Sequence, residues 1–154
     1  MSPPSRAQLL QTTHLFIEAF NEFTPESVVR HRSASCIHRL LPATLHAPPR
    51  SNAEYAALVG ALGPVMDGFT LRFVDGQGLA EPVIDEAARR AVMYLKSHAR
   101  TPLGVYENEY VWVLGLSEDG RSVDQVFEFA DSKYTEEWLP KLMKAVEESK
   151  AATA

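Results

Sequence analysis

The sequence predicts an α+β fold in which helices stand apart from a meandering antiparallel sheet. Three observations carry that reading. Apolar residues recur at helical spacing near both ends of the chain, alternation of period two runs from Gly68 to Asp131, and no strand–helix–strand repeat is present. A chain of 154 residues with 45% apolar side chains supports one ordinary core, so one domain spanning 1–154 is expected.

Ser5 and Gln8 make a capping-box pattern ahead of Leu9, Leu10, Phe16, Ile17 and Phe20, which sets a first amphipathic helix over roughly 5–22. In TPES, Thr24 serves as N-cap and Pro25 as first helical residue of a short second helix ending near His31. ASCIHRLLPATL reads as an extended segment that Pro42 kinks or confines to a sheet edge. After the loop HAPPRS, Ser51 and Glu54 form a second capping box, and Tyr55, Leu58, Val59, Leu62 and Val65 mark the face of a third helix. From Gly68 the period changes. FTLRFVDGQGLAEPVID, RRAVMYLKSHA, VYENEYVWVLGL and RSVDQVFEFAD read as four strands, with TPLG and SEDG as the last two turns. Trp138, Leu139, Leu142, Met143 and Val146 mark a closing helix, and residues 1–4 and 149–154 are expected to fray.

Composition excludes several classes of function. Acidic residues outnumber basic ones by 20 to 15 with no basic run, which argues against nucleic acid as partner. Cys36 is the single cysteine, so an internal disulfide and a four-cysteine metal site are both excluded. The five histidines (His14, His31, His38, His46 and His98) show no HExxH or comparable spacing, and no metal is expected. No apolar run reaches the roughly 18–20 residues of a membrane span. The opening MSPPSRAQ lacks the apolar core of a signal peptide, so a cytoplasmic setting is expected.

The chemistry-bearing residues gather in LGVYENEYVWVLGL. In an extended chain Tyr106, Asn108, Tyr110 and Trp112 share one face, and Val105, Glu107, Glu109, Val111 and Val113 the other. The turns suggest two registers. With Arg100 opposite Gly104, His98 faces Tyr106 and Tyr94 faces Tyr110; with Ser117 opposite Arg121, Glu128 faces Tyr110. Together they place His98, Tyr94, Tyr106, Tyr110 and Glu128 on one face of three strands, and a one-residue slip would scatter the set. A carboxylate beside two phenols in an apolar concavity can act as base or acid near neutrality. A tyrosine hydroxyl stays protonated and can donate to a developing oxyanion. Arg39 on the first strand would supply fixed positive charge.

Each residue also has a structural role to weigh. Glu128 lies between Phe127 and Phe129 and has the opposite parity, so it faces solvent if those rings pack under the helices and the cavity if they form an outer face. His38 and Arg39 are adjacent, and only one of the two can point inward from a regular strand. Asn108 could orient Tyr110 or a substrate carbonyl. Trp112 and Met93 read as pocket wall or core, and Cys36 packs as a small apolar residue.

The order of elements, with FIEAFNEFTPESV, IHRLLPATL, PPRSNAEYAAL, LKSHARTPLGVYENEYVWVL and VDQVFEFADS, resembles the NTF2-like superfamily of cone-shaped α+β domains. Within it the chain is similar to the SnoaL-like group of fungal natural-product pathways, over roughly 6–148. That resemblance implies one NTF2-like domain with a curved sheet packed on helices, forming a homodimer. It also implies a cofactor-independent isomerase or cyclase acting on a small hydrophobic substrate: an indole-alkaloid, terpenoid, meroterpenoid or polyketide intermediate. The semipinacolase-type members use a first-strand arginine, two tyrosines four apart and a last-strand glutamate. Carried over, these fall on Arg39, Tyr106, Tyr110 and Glu128, with His38, Asn108, Trp112, Tyr94 and His98 around the substrate. The rival readings are an epoxide hydrolase or dehydratase, and a non-catalytic module that binds a hydrophobic ligand or dimerises.

Overall fold

A computed structural model describes residues 2–76 and 78–154. Helix α1 (Arg6–Asn21) leads to strand β1 (Arg32–Leu41), helix α2 (Asn52–Leu62), strands β2 (Asp67–Phe73), β3 (Val83–Asp85), β4 (Arg90–Thr101), β5 (Gly104–Tyr106), β6 (Glu109–Leu116) and β7 (Val123–Ala130), and helix α3 (Ser132–Thr153). The strands form one sheet in the order β1-β7-β6-β4-β2, with β3 and β5 also paired to β4, curled into a half-barrel. The expected α+β cone is present, with one difference in the sheet. β1 runs parallel to β7, while the other pairings are antiparallel. No helix among the described residues is long and apolar enough to cross a membrane.

Ser5 Oγ accepts from the Gln8 amide, but the Gln8 side chain donates to Thr12 Oγ1, so only half of the expected first capping box forms. Ser51 and Glu54 satisfy each other's backbone amides in a full capping box. Thr24 Oγ1 accepts from the Ser27 amide, but only a single 3-10 turn follows (Ser27–Val29), where a short helix was expected. The long segment after Gly68 divides into β2 and β3, and VYENEYVWVLGL is interrupted at Glu107 and Asn108 between β5 and β6. Asp131 caps helix α3, its carboxylate accepting from the Tyr134 amide, and the helix continues to Thr153, so the expected fraying from residue 149 gives way to helix.

Buried α1 residues Leu9, Thr12, Thr13, Phe16, Ile17 and Phe20 recur at three- and four-residue intervals and lie on the concave face of the sheet. Thr12 Oγ1 donates to the Gly120 carbonyl at 2.6 Å, and Asn21 brackets Leu71 by exchanging hydrogen bonds with its amide and carbonyl. Gly120 itself adopts φ +70°, and a Cβ there would stand 2.6 Å from Pro4 Cβ, so the β6–β7 turn needs glycine. Trp112 is the largest core group, set edge-on to Phe20 at 5.2 Å.

Register decides which residues face inward. β4 and β6 pair Leu95 with Tyr110 and Met93 with Trp112, while β4 and β5 pair Ala99 with Tyr106. That is one residue away from the expected register, and a shift of one exchanges the two faces of a strand. Tyr94 and His98 therefore point outward, and Met93, Leu95, Ser97 and Ala99 point inward. β6 and β7 pair Trp112 with Glu128 rather than Tyr110 with Glu128. That shift of two keeps parity, so Glu128 stays on the concave face.

Candidate active site

The helices and the concave face of the sheet enclose a cavity of about 110 Å³. Phe20, Leu58, Leu62, Phe69 and Leu139 contribute much of its apolar wall, and the polar groups collect in two clusters on the sheet.

The first cluster joins β1 to β7. His38 Nε2 lies 2.7 Å from Glu128 Oε2, and Arg32 Nη2 lies 3.2 Å from His38 Nδ1. The parallel pairing opposes His38 to Val126 and Leu40 to Glu128, which puts histidine and glutamate on neighbouring inward positions. The imidazole is 3% exposed and stacks on Tyr55 at 4.1 Å with 10° between planes. Burial holds His38 below its ordinary pKa despite the pull of Glu128 toward protonation. Arg50, whose backbone exchanges two hydrogen bonds with that of His38, also lines the cavity.

The second cluster surrounds the break between β5 and β6. Tyr106 Oη accepts from Asn108 Nδ2 at 2.9 Å, and the same amide nitrogen donates to Thr135 Oγ1 at 3.0 Å. Tyr110 Oη lies 3.0 Å from Ser97 Oγ, which in turn accepts from the Asn108 amide at 3.2 Å. Between Ser97 and Tyr110 either hydroxyl can be the donor. The Tyr106 oxygen is supplied with a donor from behind, which leaves its proton free for a group in the cavity, and the Tyr110 proton is free in the same way when Ser97 donates. The two hydroxyls are 3.4 Å apart, too far to satisfy each other well. Burial raises both tyrosine pKa values, so both stay protonated donors across the neutral range.

Of the residues singled out from sequence, Glu128, Tyr106, Tyr110, His38, Asn108 and Trp112 line the cavity. Arg39 does not. Its parity is opposite to that of His38, and its guanidinium lies over the Phe127 ring on the outer face. Tyr94 lies on the outer face beside Val111 and Phe129. His98 is half-exposed there and pairs with Glu107 at 3.1 Å. Both are displaced by the one-residue register difference. Sequence reasoning missed Arg32, Arg50, Ser97, Thr135 and the inward role of Tyr55. Ser97 follows directly from the corrected register. Arg32 gave no such signal, because the β1–β7 register shifts between Arg32 and Ile37. Among the described residues no three His, Cys, Asp or Glu side chains converge as metal ligands.

A carboxylate braced by a histidine, with two protonated phenols in the same apolar chamber, can remove a proton at one atom and stabilise negative charge on an oxygen nearby. No family model matches the chain. It is 36% identical over 140 residues to the austinoid biosynthesis clusters protein H of Penicillium brasilianum, covering 90% of this chain and 93% of that one. It is 35% identical to the BvnE pinacolase from Penicillium brevicompactum, with TM-score 0.84 over 91% of this chain and 93% of that structure. It is also 32% identical to a protein named monooxygenase dmxR10 from Cryptosporiopsis sp. (strain 8999), over 94% of this chain and 93% of the relative. The half-barrel and these near full-length identities together show that the chain belongs to the fungal SnoaL-like isomerase and cyclase group of the NTF2-like superfamily.

Proposed function

We propose that the protein rearranges or cyclises a compact, mainly apolar polycyclic metabolite by acid–base chemistry of its own side chains. The observation that carries this reading is Glu128 opposite Trp112, held by His38, in the same cavity as the buried hydroxyls of Tyr106 and Tyr110. Glu128 takes a proton from a hydroxyl or an α-carbon as the skeleton shifts. Tyr106 and Tyr110 donate to the oxygen that gains charge, and Arg50 supplies positive charge in the place first assigned to Arg39. The apolar wall holds one folded conformer and so sets the stereochemistry. The pinacolase name of one relative favours a shift beside an oxygen-bearing carbon.

The functional unit in this reading is a homodimer. Val92, Val111 and Phe129 are 36%, 42% and 49% exposed on the outer face of the sheet. With Tyr94 and Val113 they make a contiguous apolar patch suited to a second copy.

The test is mass spectrometry of pathway intermediates incubated with the unaltered protein and with Glu128→Gln. An isobaric product from the unaltered protein, slowed about 10²–10⁴-fold by the substitution, supports the reading. A product gaining one oxygen would instead favour the chemistry in the dmxR10 name, and gain or loss of water would mean a hydrolase or dehydratase. Equal retention of a compound by both proteins without conversion would mean a binding module.

A further inference from the structure

We infer that Arg32 is the positioning residue of this site: by donating to Nδ1 of His38 it fixes the ring as the neutral Nε2–H tautomer, which donates to one oxygen of Glu128 and leaves the other carboxylate oxygen for the substrate. The inference rests on the reading of Glu128 as base. A guanidinium carries only donors, so its 3.2 Å contact requires a lone pair on Nδ1. The ring proton then sits on Nε2 and donates to Glu128 Oε2 at 2.7 Å. The other tautomer would turn an N–H toward the guanidinium and a lone pair toward the carboxylate. An imidazolium would add a second positive charge beside a buried arginine. Both alternatives are unfavourable, and the two distances select one protonation pattern.

Arg32 does not line the cavity, so its effect reaches the substrate only through His38. It is 8% exposed, lies 4.5 Å over Tyr55 and 5.5 Å over Phe16, and its Nε and Nη1 have no hydrogen-bond partner among the described residues. A buried guanidinium with two idle nitrogens is a poor device for stability, since an apolar chain of equal length would fill the space without that desolvation. What an apolar chain cannot supply is the donor to Nδ1. The charged and titratable groups around His38 are Arg32, Arg50, Glu128 and Tyr55, and Trp112 closes the ring's edge at 5.5 Å.

The experiment is nitrogen NMR of the full chain labelled at histidine, read from pH about 8 to about 5, the window in which an ordinary imidazole titrates. In the unaltered protein the Nδ1 of His38 should resonate as an unprotonated nitrogen and Nε2 as an N–H throughout. Arg32→Met should lose that pattern and move the acid limb of kcat/KM upward by about one pH unit or more. Arg32→Lys, which keeps a cationic donor, should restore both. An Nδ1 that carries the proton in the unaltered protein overturns the inference, and this holds even if Arg32→Met does not fold. So does an Arg32→Met protein that is slow but keeps the nitrogen pattern and the acid limb. If Glu128→Gln turns over normally while the pattern is as expected, the base assignment falls and the hold of Arg32 on the tautomer stands.

Discussion

Tyr110→Phe separates catalysis from packing, because it removes one oxygen and leaves the ring in place against Trp112. The lost hydroxyl lies 3.0 Å from Ser97 Oγ and 3.4 Å from Tyr106 Oη, so one good buried hydrogen bond disappears. Ser97 still accepts from the Asn108 amide, and only its own proton is stranded. That costs about 1–3 kcal/mol, or roughly 2–12 °C in Tm for a chain of this size. Against a total stability of about 5–15 kcal/mol, more than nine molecules in ten, roughly, stay folded. Unfolding can therefore lower activity by a tenth or so. If the phenol donates to an oxyanion, kcat should fall about 10²–10³-fold. The assay is turnover of the converted intermediate per mole of folded protein, with circular dichroism melts on the same samples. A kcat within about threefold of the unaltered protein, with the expected small loss in Tm, would refute the donor role and leave Tyr110 as a core residue.

Two further outcomes test separate parts of the reading. The unaltered protein should scatter light as a dimer and Phe129→Lys, which puts a charge into the outer apolar patch, as a monomer; an unchanged mass would place any dimer elsewhere. For pH dependence, burial depresses His38 in the folded state, whereas the unfolded imidazole titrates near about 6.5. Below that pH the unfolded chain binds more protons, so stability should fall as pH drops, by up to about 1.4 kcal/mol per unit for this one group. His38→Gln, whose amide can still donate to Glu128, should flatten that slope in melts at pH about 7 and about 5.5. Equal slopes in the two proteins would mean that His38 is not the group responsible.

Much of the candidate site was legible within single strands. The alternation that puts Tyr106, Asn108, Tyr110 and Trp112 on one face is a local property of extended backbone, and all four line the cavity. The opposite parity of Glu128 and its flanking phenylalanines was equally local, and it left two choices, of which the structure takes the inward one for Glu128. What failed was reasoning between strands. Turn-based pairing missed the β4 register by one residue, which sends Tyr94 and His98 outward and brings Ser97 in. Arg39 and His38 could not be separated, because β1 meets β7 in parallel with no turn between them to suggest a register.

By itself the sequence determined the starts of the first two α-helices, through Ser5 and Ser51, whose side chains reach amides three residues away. It also determined the internal parity of each strand, since alternation follows from backbone geometry alone. Only the tertiary structure decided which parity faces the cavity, and which residues from distant segments meet there. Arg32, His38, Tyr55 and Glu128 come from β1, α2 and β7, and their contacts depend on sheet register and on how α2 seats over β1. Pairing and packing of that kind are set by burial summed over the whole core, and a local stretch of sequence carries no record of that sum.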